Sequence, residues 1–297
     1  MTETRELREY SGEDDHGWYR QVETWAGDGI NLMEERSEFV AYPWHYGVNE
    51  HGGIGLVRVG AYRRSSRGVE MLVDANVGFL RFDDEEVGQA NFIGGRREIT
   101  FVTIEPAIAN GLLSKPAAEA AFYVTPEIEL NHQRLLLGQR RGADDLTMQM
   151  LALDLVMRAA EQQYGNVRSY SRRTTGTARR QLVSDACEVL HKSRQDISLI
   201  ALADSVGCSP FHLSRVFGEI TGMTIPQYRR QLRVHDAVTS IAEGATDLAS
   251  IAAAVGFADH SHMTRSIVAQ FGATPSRLRE LLREPLDGPA LRSATTD

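Results

Sequence analysis

Two short segments of the sequence carry an arginine among small polar and aromatic residues, and fifty positions separate the two arginines, Arg215 and Arg265. The planar guanidinium group of arginine can donate to the O6 and N7 atoms of guanine together, which is worth about 1–3 kcal/mol of discrimination between bases. A contact with a phosphate group and an ion pair within the domain are the alternatives for both arginines, and the residues themselves leave all three open.

The elements that would position these arginines form an internal repeat, with one copy at residues 199–229 and the other at 248–279. In each copy a short helix with a small residue at its contact point ends at a glycine, where a positive φ is favourable, and a second helix follows. The matched positions are Ala203 with Ala252, Gly207 with Gly256, Arg215 with Arg265, Gly222 with Gly272 and Arg229 with Arg279. The pattern predicts a helix-turn-helix in each copy.

The second helix of each copy has an apolar face that predicts burial and an opposite face that predicts exposure. Ser209 is expected to cap this helix in the first copy, with Pro210 at its first position, and Asp259 or Ala258 takes that place in the second copy. The apolar face consists of Leu213, Val216, Phe217 and Ile220 in the first copy and of Met263, Ile267 and Phe271 in the second. The outward face consists of Phe211, His212, Ser214 and Arg215, and of His260, Ser261, His262, Thr264 and Arg265. A helix-turn-helix presents this outward face to the major groove of DNA.

The charge distribution agrees with a nucleic-acid-binding part in the C-terminal portion of the chain. The formal net charge is −8, but residues 1–170 carry −10 and residues 171–297 carry +2. A basic part behind an acidic part is typical of a DNA-binding domain joined to a domain with another role.

The first 170 residues have a different texture, with β-rich segments followed by helices. Four segments predict strands, at residues 56–62, 69–75, 77–82 and 98–105, and their close spacing favours an antiparallel sandwich or barrel. From about Thr125 the apolar spacing becomes helical. One helix carries an apolar stripe of Leu146, Met150, Leu153 and Met157, which fits either a dimer interface or packing against the helix's own barrel.

Residues 178–285 resemble the DNA-binding domain of AraC/XylS-type regulators, most specifically in the stretch VGFADHSHMTRSIVAQFGATPSRLR at 255–279. The resemblance implies seven helices, with two helix-turn-helix units joined by a long helix at about 226–243. It places Phe211, Ser214 and Arg215 at bases in one unit, and His260, Ser261, His262, Thr264 and Arg265 at bases in the other. The two major-groove segments that they read would lie about one turn, roughly 34–36 Å, apart. Met263 and Ile267 depart from the family, which usually has Phe there, and this departure affects core packing.

Several of these residues have other interpretations. His260 and His262 fit base contacts, phosphate contacts and neutral surface positions alike. Arg229, Arg230 and Arg279 fit contacts with the DNA backbone or helix caps, and backbone contacts would position the domain without reading sequence.

The part at about residues 20–165 resembles the cupin-like sensing and dimerising domain of the same family. That resemblance implies a small-molecule effector enclosed by the β part and a helix pair that dimerises the chain. Trp25, Trp44, His45 and Tyr46, together with Trp18, are candidates for an effector pocket, with core and edge packing as the alternative. His45 and His51 lack the further histidine and glutamate spacing of a cupin metal site, so we expect no metal.

These observations predict an α+β multidomain protein. The expected order is an N-terminal cupin-like β-barrel or sandwich with helices at 1–168, a linker at 169–177, a C-terminal all-α domain with two helix-turn-helix units at 178–285, and a flexible tail at 286–297. The charged N-terminus, the lack of an apolar run of about 18 residues and the presence of only two cysteines, Cys187 and Cys208, predict a cytoplasmic bacterial protein without a disulfide framework.

The predicted function is sequence-specific regulation of transcription rather than catalysis, with no cofactor. Expected partners are double-stranded DNA, a small-molecule effector, a second copy of the chain and, for an activator, RNA polymerase. Two alternatives stay open. A cupin metalloenzyme fused to a DNA-binding module would require metal ligands in the β part, and an architectural DNA protein would bind with weak sequence preference and no effector.

Overall fold

The computed structural model describes residues 7–14, 17–39, 44–91, 95–113, 121–170, 176–193 and 197–284. The chain divides into two compact units: the first unit comprises residues 1–124 and 156–225, and the second unit comprises residues 125–155 and 226–297. Residues 171–175 of the expected linker and the whole expected tail at 286–297 lie outside the described residues. The expected domain boundaries therefore stay a prediction.

An antiparallel sheet dominates the first unit. Its strands are β1 (Glu9–Asp14), β2 (Gly17–Ala26), β3 (Ile30–Phe39), β4 (His45–Val48), β5 (Gly52–Val59), β6 (Ala61–Ser66), β7 (Val69–Asp74), β8 (Val77–Arg81), β9 (Glu86–Asn91), β10 (Gly95–Ile104) and β11 (Ala121–Tyr123). They pair in the order β1-β2-β3-β10-β5-β8-β7-β6-β9-β4, and β11 pairs with β8. Buried side chains from β5, β6, β7, β8 and β10 form one hydrophobic cluster of Val57, Tyr62, Met71, Val73, Phe79, Ile99 and Phe101.

The predicted strand at residues 56–62 is wrong in one respect, because the chain forms two strands there. β5 ends at Val59 and β6 begins at Ala61, and Gly60 between them has φ +80°. A Cβ atom at residue 60 would lie 2.4 Å from the carbonyl oxygen of Arg96. Both the backbone angle and the close approach therefore require glycine. The other three predicted strands are confirmed as β7, β8 and β10.

The remaining strands were not predicted, and β3 shows the physical reason. Three consecutive charged residues, Glu34, Glu35 and Arg36, lie in this strand, and the sequence pattern alone indicates a surface segment. Glu35 is nevertheless buried, because Arg97 on β10 pairs with it. A buried charge is tolerated when it is paired, and here the partner lies far away in the sequence.

The helices of the first unit include one that joins the sheet to the first copy of the repeat. They are α1 (Pro106–Leu112), the later part of α3 (Asp145–Tyr170), α4 (Gly176–Lys192), α5 (Leu199–Ser205) and α6 (Pro210–Thr221). α4 packs against β6 and β7 and also against α5 and α6. Arg63 on β6 pairs with Asp185 and Glu188 on α4. The sheet therefore holds α4 through ion pairs as well as through packing.

The second unit is helical. Its helices are α2 (Pro126–Arg141), the first part of α3, α7 (Ile225–Ala242), α8 (Leu248–Ala254), α9 (His260–Phe271) and α10 (Pro275–Arg283). Their core consists of Val234, Ala237, Val238, Ile241, Ile251, Ala252, Phe257, Met263, Ile267 and Leu278. The described residues from 176 to 284 form seven helices, α4 to α10, as the resemblance implies, and α7 matches the expected long helix. The predicted fold class is confirmed.

The apolar stripe predicted on α3 faces outward. Leu146, Met150 and Met157 are exposed, and Leu153 is partly buried. The neighbouring Leu151 and Leu155 are buried instead. Packing against the helix's own barrel therefore does not account for the stripe.

Candidate nucleic-acid interface

The first helix-turn-helix is built by α5 and α6, and its local signals act as predicted. Ser209 Oγ accepts a hydrogen bond of 3.2 Å from the backbone N–H of His212, and Pro210 occupies the first turn of α6. Gly207 has φ +69°, and a Cβ atom there would have no neighbour within 4 Å. The backbone angle, rather than crowding, favours glycine in this turn.

α6 divides into two faces. Leu213, Val216 and Phe217 are fully buried, and Ile220 is partly buried, as the apolar pattern predicts. These side chains anchor α6, which packs against α4 and α5. Because this packing holds α6 in place, the opposite face of the helix can contact another molecule.

The opposite face of α6 carries the predicted contact residues. The side chain of Phe211 is 80% exposed, Ser214 and Arg215 are exposed, and His212 is partly buried. Arg215 Nε lies 3.9 Å from Glu219 Oε1, while Arg179 Nη1 lies closer to the other oxygen of that carboxylate, at 3.1 Å. An exposed pair at such a distance is worth about 0–1 kcal/mol, so the ion pair does not fix the Arg215 guanidinium.

The second helix-turn-helix repeats this construction with α8 and α9. The cap of α9 is Asp259 rather than Ala258, because Asp259 Oδ1 accepts a hydrogen bond of 2.7 Å from the backbone N–H of His262. This hydrogen bond also lowers the pKa of the Asp259 carboxyl. Gly256 has φ +83°, and a Cβ atom there would lie 3.4 Å from Arg233 Nε on α7.

α9 buries its predicted apolar face and one polar residue besides. Met263 and Ile267 are fully buried, and Phe271 is partly buried. Ser266 is also buried, at the position that corresponds to Val216 in the first copy. Met263 and Ile267, the two departures from the family pattern, therefore lie in the core and not on the outward face.

The outward face of α9 is less uniform than that of α6. His260, Ser261 and Arg265 are exposed, and Arg265 Nε donates to the Ser261 carbonyl oxygen at 3.4 Å. Thr264 and His262 are partly buried. The His262 ring packs edge-on against the Phe257 ring, with the ring centroids 5.2 Å apart. His262 thus has a packing role as well as an accessible edge.

The arginines expected to make secondary contacts lie outside the two outward faces. Arg229 is partly buried on α7. Arg279 Nη2 donates a hydrogen bond of 3.0 Å to the carbonyl oxygen of Ala245, in the segment between α7 and α8. Arg279 therefore holds the connection between helices. The assignment of individual residues to bases or phosphates stays a prediction.

A cavity of about 570 Å³ lies within the β part of the first unit. Of the residues predicted for an effector pocket, His45 lines this cavity, together with His51, whereas Trp25, Trp44 and Tyr46 do not line it. Tyr46 is exposed and stacks on Trp44 with ring centroids 6.2 Å apart. The pocket assignment of these four residues stays a prediction.

Arginines that the sequence analysis did not single out also line this cavity, namely Arg8, Arg64, Arg81 and Arg97. The alternation of burial along β6, in which Tyr62, Arg64 and Ser66 are buried, would have marked Arg64 as inward-facing once the strand was known. Sequence reasoning missed it because an arginine in a strand is ordinarily assigned to the solvent face.

Among the described residues, no group of three or more His, Cys, Asp or Glu side chains is arranged to hold a metal ion. None of the described helices has the length and apolar character needed to cross a membrane. Cys187 and Cys208 are both free thiols.

Comparison with known proteins adds three results. A family profile described as a helix-turn-helix domain matches residues 202–281. Over 87 residues the chain is 32% identical to the bifunctional transcriptional activator/DNA repair enzyme AdaA of Bacillus subtilis, which covers 29% of this chain and 41% of AdaA. The chain therefore spans less than half the length of that relative. The solved structure of ToxT from Vibrio cholerae O395 aligns with 86% of this chain and 99% of ToxT, at 11% identity and a TM-score of 0.35.

A further relative decides the family. Over 86 residues the chain is 31% identical to the probable transcription factor PqrA of Proteus vulgaris, and the match covers 29% of this chain and 70% of PqrA. The matched profile includes both copies of the glycine turn and both outward-facing helices. From these matches and the duplicated helix-turn-helix, the chain belongs to the AraC/XylS family of transcriptional regulators.

Proposed function

We propose that the protein regulates transcription by binding a specific DNA sequence, with α6 and α9 each reading one major-groove segment. The observation that carries this proposal is the two-faced character of both helices. Each one buries most of an apolar face and exposes an arginine with small polar neighbours, at matched positions of the repeat. The first half of a recognition helix is the part that usually meets base edges.

The exposure of Phe211 favours this function over an ordinary helical bundle. A phenylalanine that is 80% exposed leaves most of its ring in water, and burying it would be favourable. Its place in the first turn of α6 would bring the ring against a base edge, where apolar side chains contact the thymine methyl group. Phe211 and Arg215, one turn apart on the same face, would then read neighbouring bases.

Selection of bound sequences from random double-stranded DNA tests the proposal. We expect an asymmetric site with two blocks about one helical turn apart. Arg265→Ala should relax the preference in one block and Arg215→Ala in the other, while Arg20→Ala, which removes an exposed arginine of β2, should leave both blocks unchanged. Equal enrichment of all sequences by the unaltered protein would contradict sequence-specific binding.

The outcome with the arginine variants also separates base contacts from phosphate contacts. A variant that binds every sequence more weakly, with the same block preferences and a smaller salt dependence, has lost a phosphate contact. A variant that accepts more bases at one position has lost a base contact. His260→Ala and His262→Ala can be compared in the same way.

The second part of the proposal is that the chain acts as a homodimer through α3. Leu146, Met150, Leu153 and Met157 follow one another at intervals of four, three and four residues, which is the spacing of a coiled-coil seam. Three of these side chains are exposed, and a second copy of the same helix would cover them. Sedimentation equilibrium of Met150→Glu should show a shift toward monomer, whereas Gln149→Glu beside it should not. A monomer at every concentration of the unaltered protein would contradict a dimer.

The third part of the proposal is that a small molecule modulates DNA binding through the cavity of the first unit. A cavity of about 570 Å³ is within the usual range for ligand sites. The alternative of a cupin metalloenzyme would need metal ligands, and metal analysis of the purified protein tests it directly.

A further inference from the structure

Arg64 is an arginine in an unusual environment. Its side chain is only 1% exposed, and its Nε and Nη2 atoms have no hydrogen-bond partner. The guanidinium group packs over the Phe79 ring, 4.3 Å from the ring centroid, and Arg64 is one of the residues that line the cavity. Buried donors of a charged group are costly when they are left unpaired, so this side chain fits a site that a ligand completes.

Arg81 adds a second positive charge to the same cavity. Its guanidinium group lies 4.8 Å from the centroid of the Phe101 ring, and its Nε is 3.4 Å from Asn49 Oδ1, a long hydrogen bond. Burial, and after it the neighbouring charge of Arg64, lowers the pKa of Arg81 to about 10. Two guanidinium groups that line one cavity and repel each other define a place where negative charge is favourable.

The carboxylates that line the cavity are differently placed. Glu35 pairs with Arg97 and also accepts a hydrogen bond of 2.7 Å from Gln21 Nε2. Glu23 accepts one of 3.1 Å from the backbone N–H of Arg8. Glu13 and Glu50 are exposed. Glu35 and Glu50 also attract the charge of Arg81. Among the described residues, however, neither Arg64 nor Arg81 forms an ion pair with a carboxylate.

The rest of the lining is suited to an organic molecule rather than to a bare inorganic ion. Aromatic and aliphatic side chains share the cavity with the arginines, namely Tyr10, Tyr19, Met33, Val48, Val87 and Phe101. A volume of about 570 Å³ greatly exceeds the space that a single carboxylate group fills. A planar carboxylate matches the fork of a guanidinium group, and an attached apolar body would cover the aromatic wall.

We propose that this cavity binds a small organic carboxylate, with Arg64 and Arg81 holding the carboxylate group and the aromatic and aliphatic wall holding the organic part. That the cavity binds a carboxylate is inferred from the cavity alone. That the carboxylate is an effector rests on the proposed regulatory function, which the DNA selection tests separately.

Thermal unfolding and calorimetric titration of the full chain, without DNA, test the proposal. The probes are aromatic and aliphatic monocarboxylates, such as benzoate, phenylacetate, hexanoate and decanoate, each with its neutral amide, and inorganic phosphate. We expect at least one carboxylate to raise Tm and its matched amide to have no effect. Arg64→Met and Arg81→Met should each weaken carboxylate binding at least about tenfold, because a charge-assisted hydrogen bond is lost. Arg20→Met should bind as the unaltered protein does.

The variants also separate a ligand site from a structural role of Arg64. Because Arg64→Met removes a buried charge that forms no ion pair with a carboxylate, we expect it to fold and to have a Tm without ligand at least equal to that of the unaltered protein. Equal binding of carboxylate and amide, binding of phosphate alone, or no response to any of the carboxylates would overturn the proposal. If Arg265→Ala loses DNA binding but still binds the carboxylate, the carboxylate site is supported independently of DNA binding.

Discussion

Arg63 and Arg64 are consecutive residues of β6, and their guanidinium groups lie on opposite sides of the sheet. Arg64 lines the cavity, whereas Arg63 pairs with Asp185 and Glu188 on α4. The alternation follows from the two-residue period of a β-strand. α4 packs against α5 and α6, so a single strand connects the cavity wall with the helices that support the first helix-turn-helix.

We predict that Arg63→Ala uncouples the cavity from DNA binding. The variant should bind the carboxylate as the unaltered protein does, because Arg63 is on the opposite face from the cavity. The ratio of DNA affinities with and without carboxylate should fall toward one, since the ion pairs to α4 are lost. Titration of labelled operator DNA in the presence and absence of carboxylate measures this ratio. Arg36→Ala, on β3, is the matched control, and an unchanged ratio in Arg63→Ala would disprove the connection.

A second prediction concerns the attachment of α4 to β7. The Asp74 carboxylate is fully buried, with one oxygen 2.9 Å from His191 Nε2 and the other accepting a hydrogen bond of 2.8 Å from the backbone N–H of Asn76. Asp74→Ala leaves these groups without their partner and should lower the free energy of unfolding by about 1–3 kcal/mol. Urea denaturation followed by circular dichroism measures the change. Asp28→Ala, at an exposed position, should stay within about 0.5 kcal/mol of the unaltered protein.

The second unit should lose stability in acid because one buried pair, Glu129 and His235, is disrupted when the glutamate is protonated. Burial alone would raise the pKa of Glu129, but the charge and hydrogen bond of His235, followed by His132 and Gln133, outweigh it and lower the pKa to about 2. The ordinary value is 4.5. The stabilisation is therefore complete above pH 4.5 and is lost as the pH falls from about 4.5 toward 2.

Glu129→Gln isolates this contribution. The free energy of unfolding of the unaltered protein should fall more steeply below pH 4.5 than that of the variant, with a difference on the order of 1–3 kcal/mol. Urea denaturation at a series of pH values provides the comparison. Glu127→Gln, at an exposed position of the same helix, should follow the unaltered protein, and parallel curves for Glu129→Gln would exclude the pair as the cause.

Neighbouring residues of α9 should differ in their importance for stability. Ile267 is fully buried and Val268 is 38% exposed. Ile267→Ala should cost about 2–5 kcal/mol of unfolding free energy because it leaves a cavity in a packed core. Val268→Ala should cost less than about 1 kcal/mol. Chemical denaturation of both variants measures the difference, and equal losses would mean that α9 does not pack as described.

The helical repeat could be predicted closely from the sequence because its signals are local. Ser209, Gly207 and Pro210 act within one turn of chain, and each has the role that its residue type favours. The buried and exposed faces of α6 follow from a period of 3.6 residues in the same way. The duplication supports the helix-turn-helix prediction further, because the same local structure explains both copies of the pattern.

The sheet and its cavity could be predicted only in part. Glu35 and Arg97 are 62 positions apart in the sequence, and neither one indicates burial without the other. Arg64 lines a cavity only because neighbouring strands close around it, and strand order cannot be read from local composition. The partly buried Trp44 and the exposed Tyr46 are the aromatic pocket candidates of the sequence, whereas charged residues within strands provide more of the lining.

Asp259 closes the first turn of α9 with its own side chain, and Ser209 does the same for α6. The segments that carry His260 and Phe211 are therefore already ordered in the unbound protein. Little backbone freedom remains to be lost when a partner arrives, so a larger share of the contact energy is available as affinity. Removal of either cap would weaken association even though neither oxygen need touch the nucleic acid.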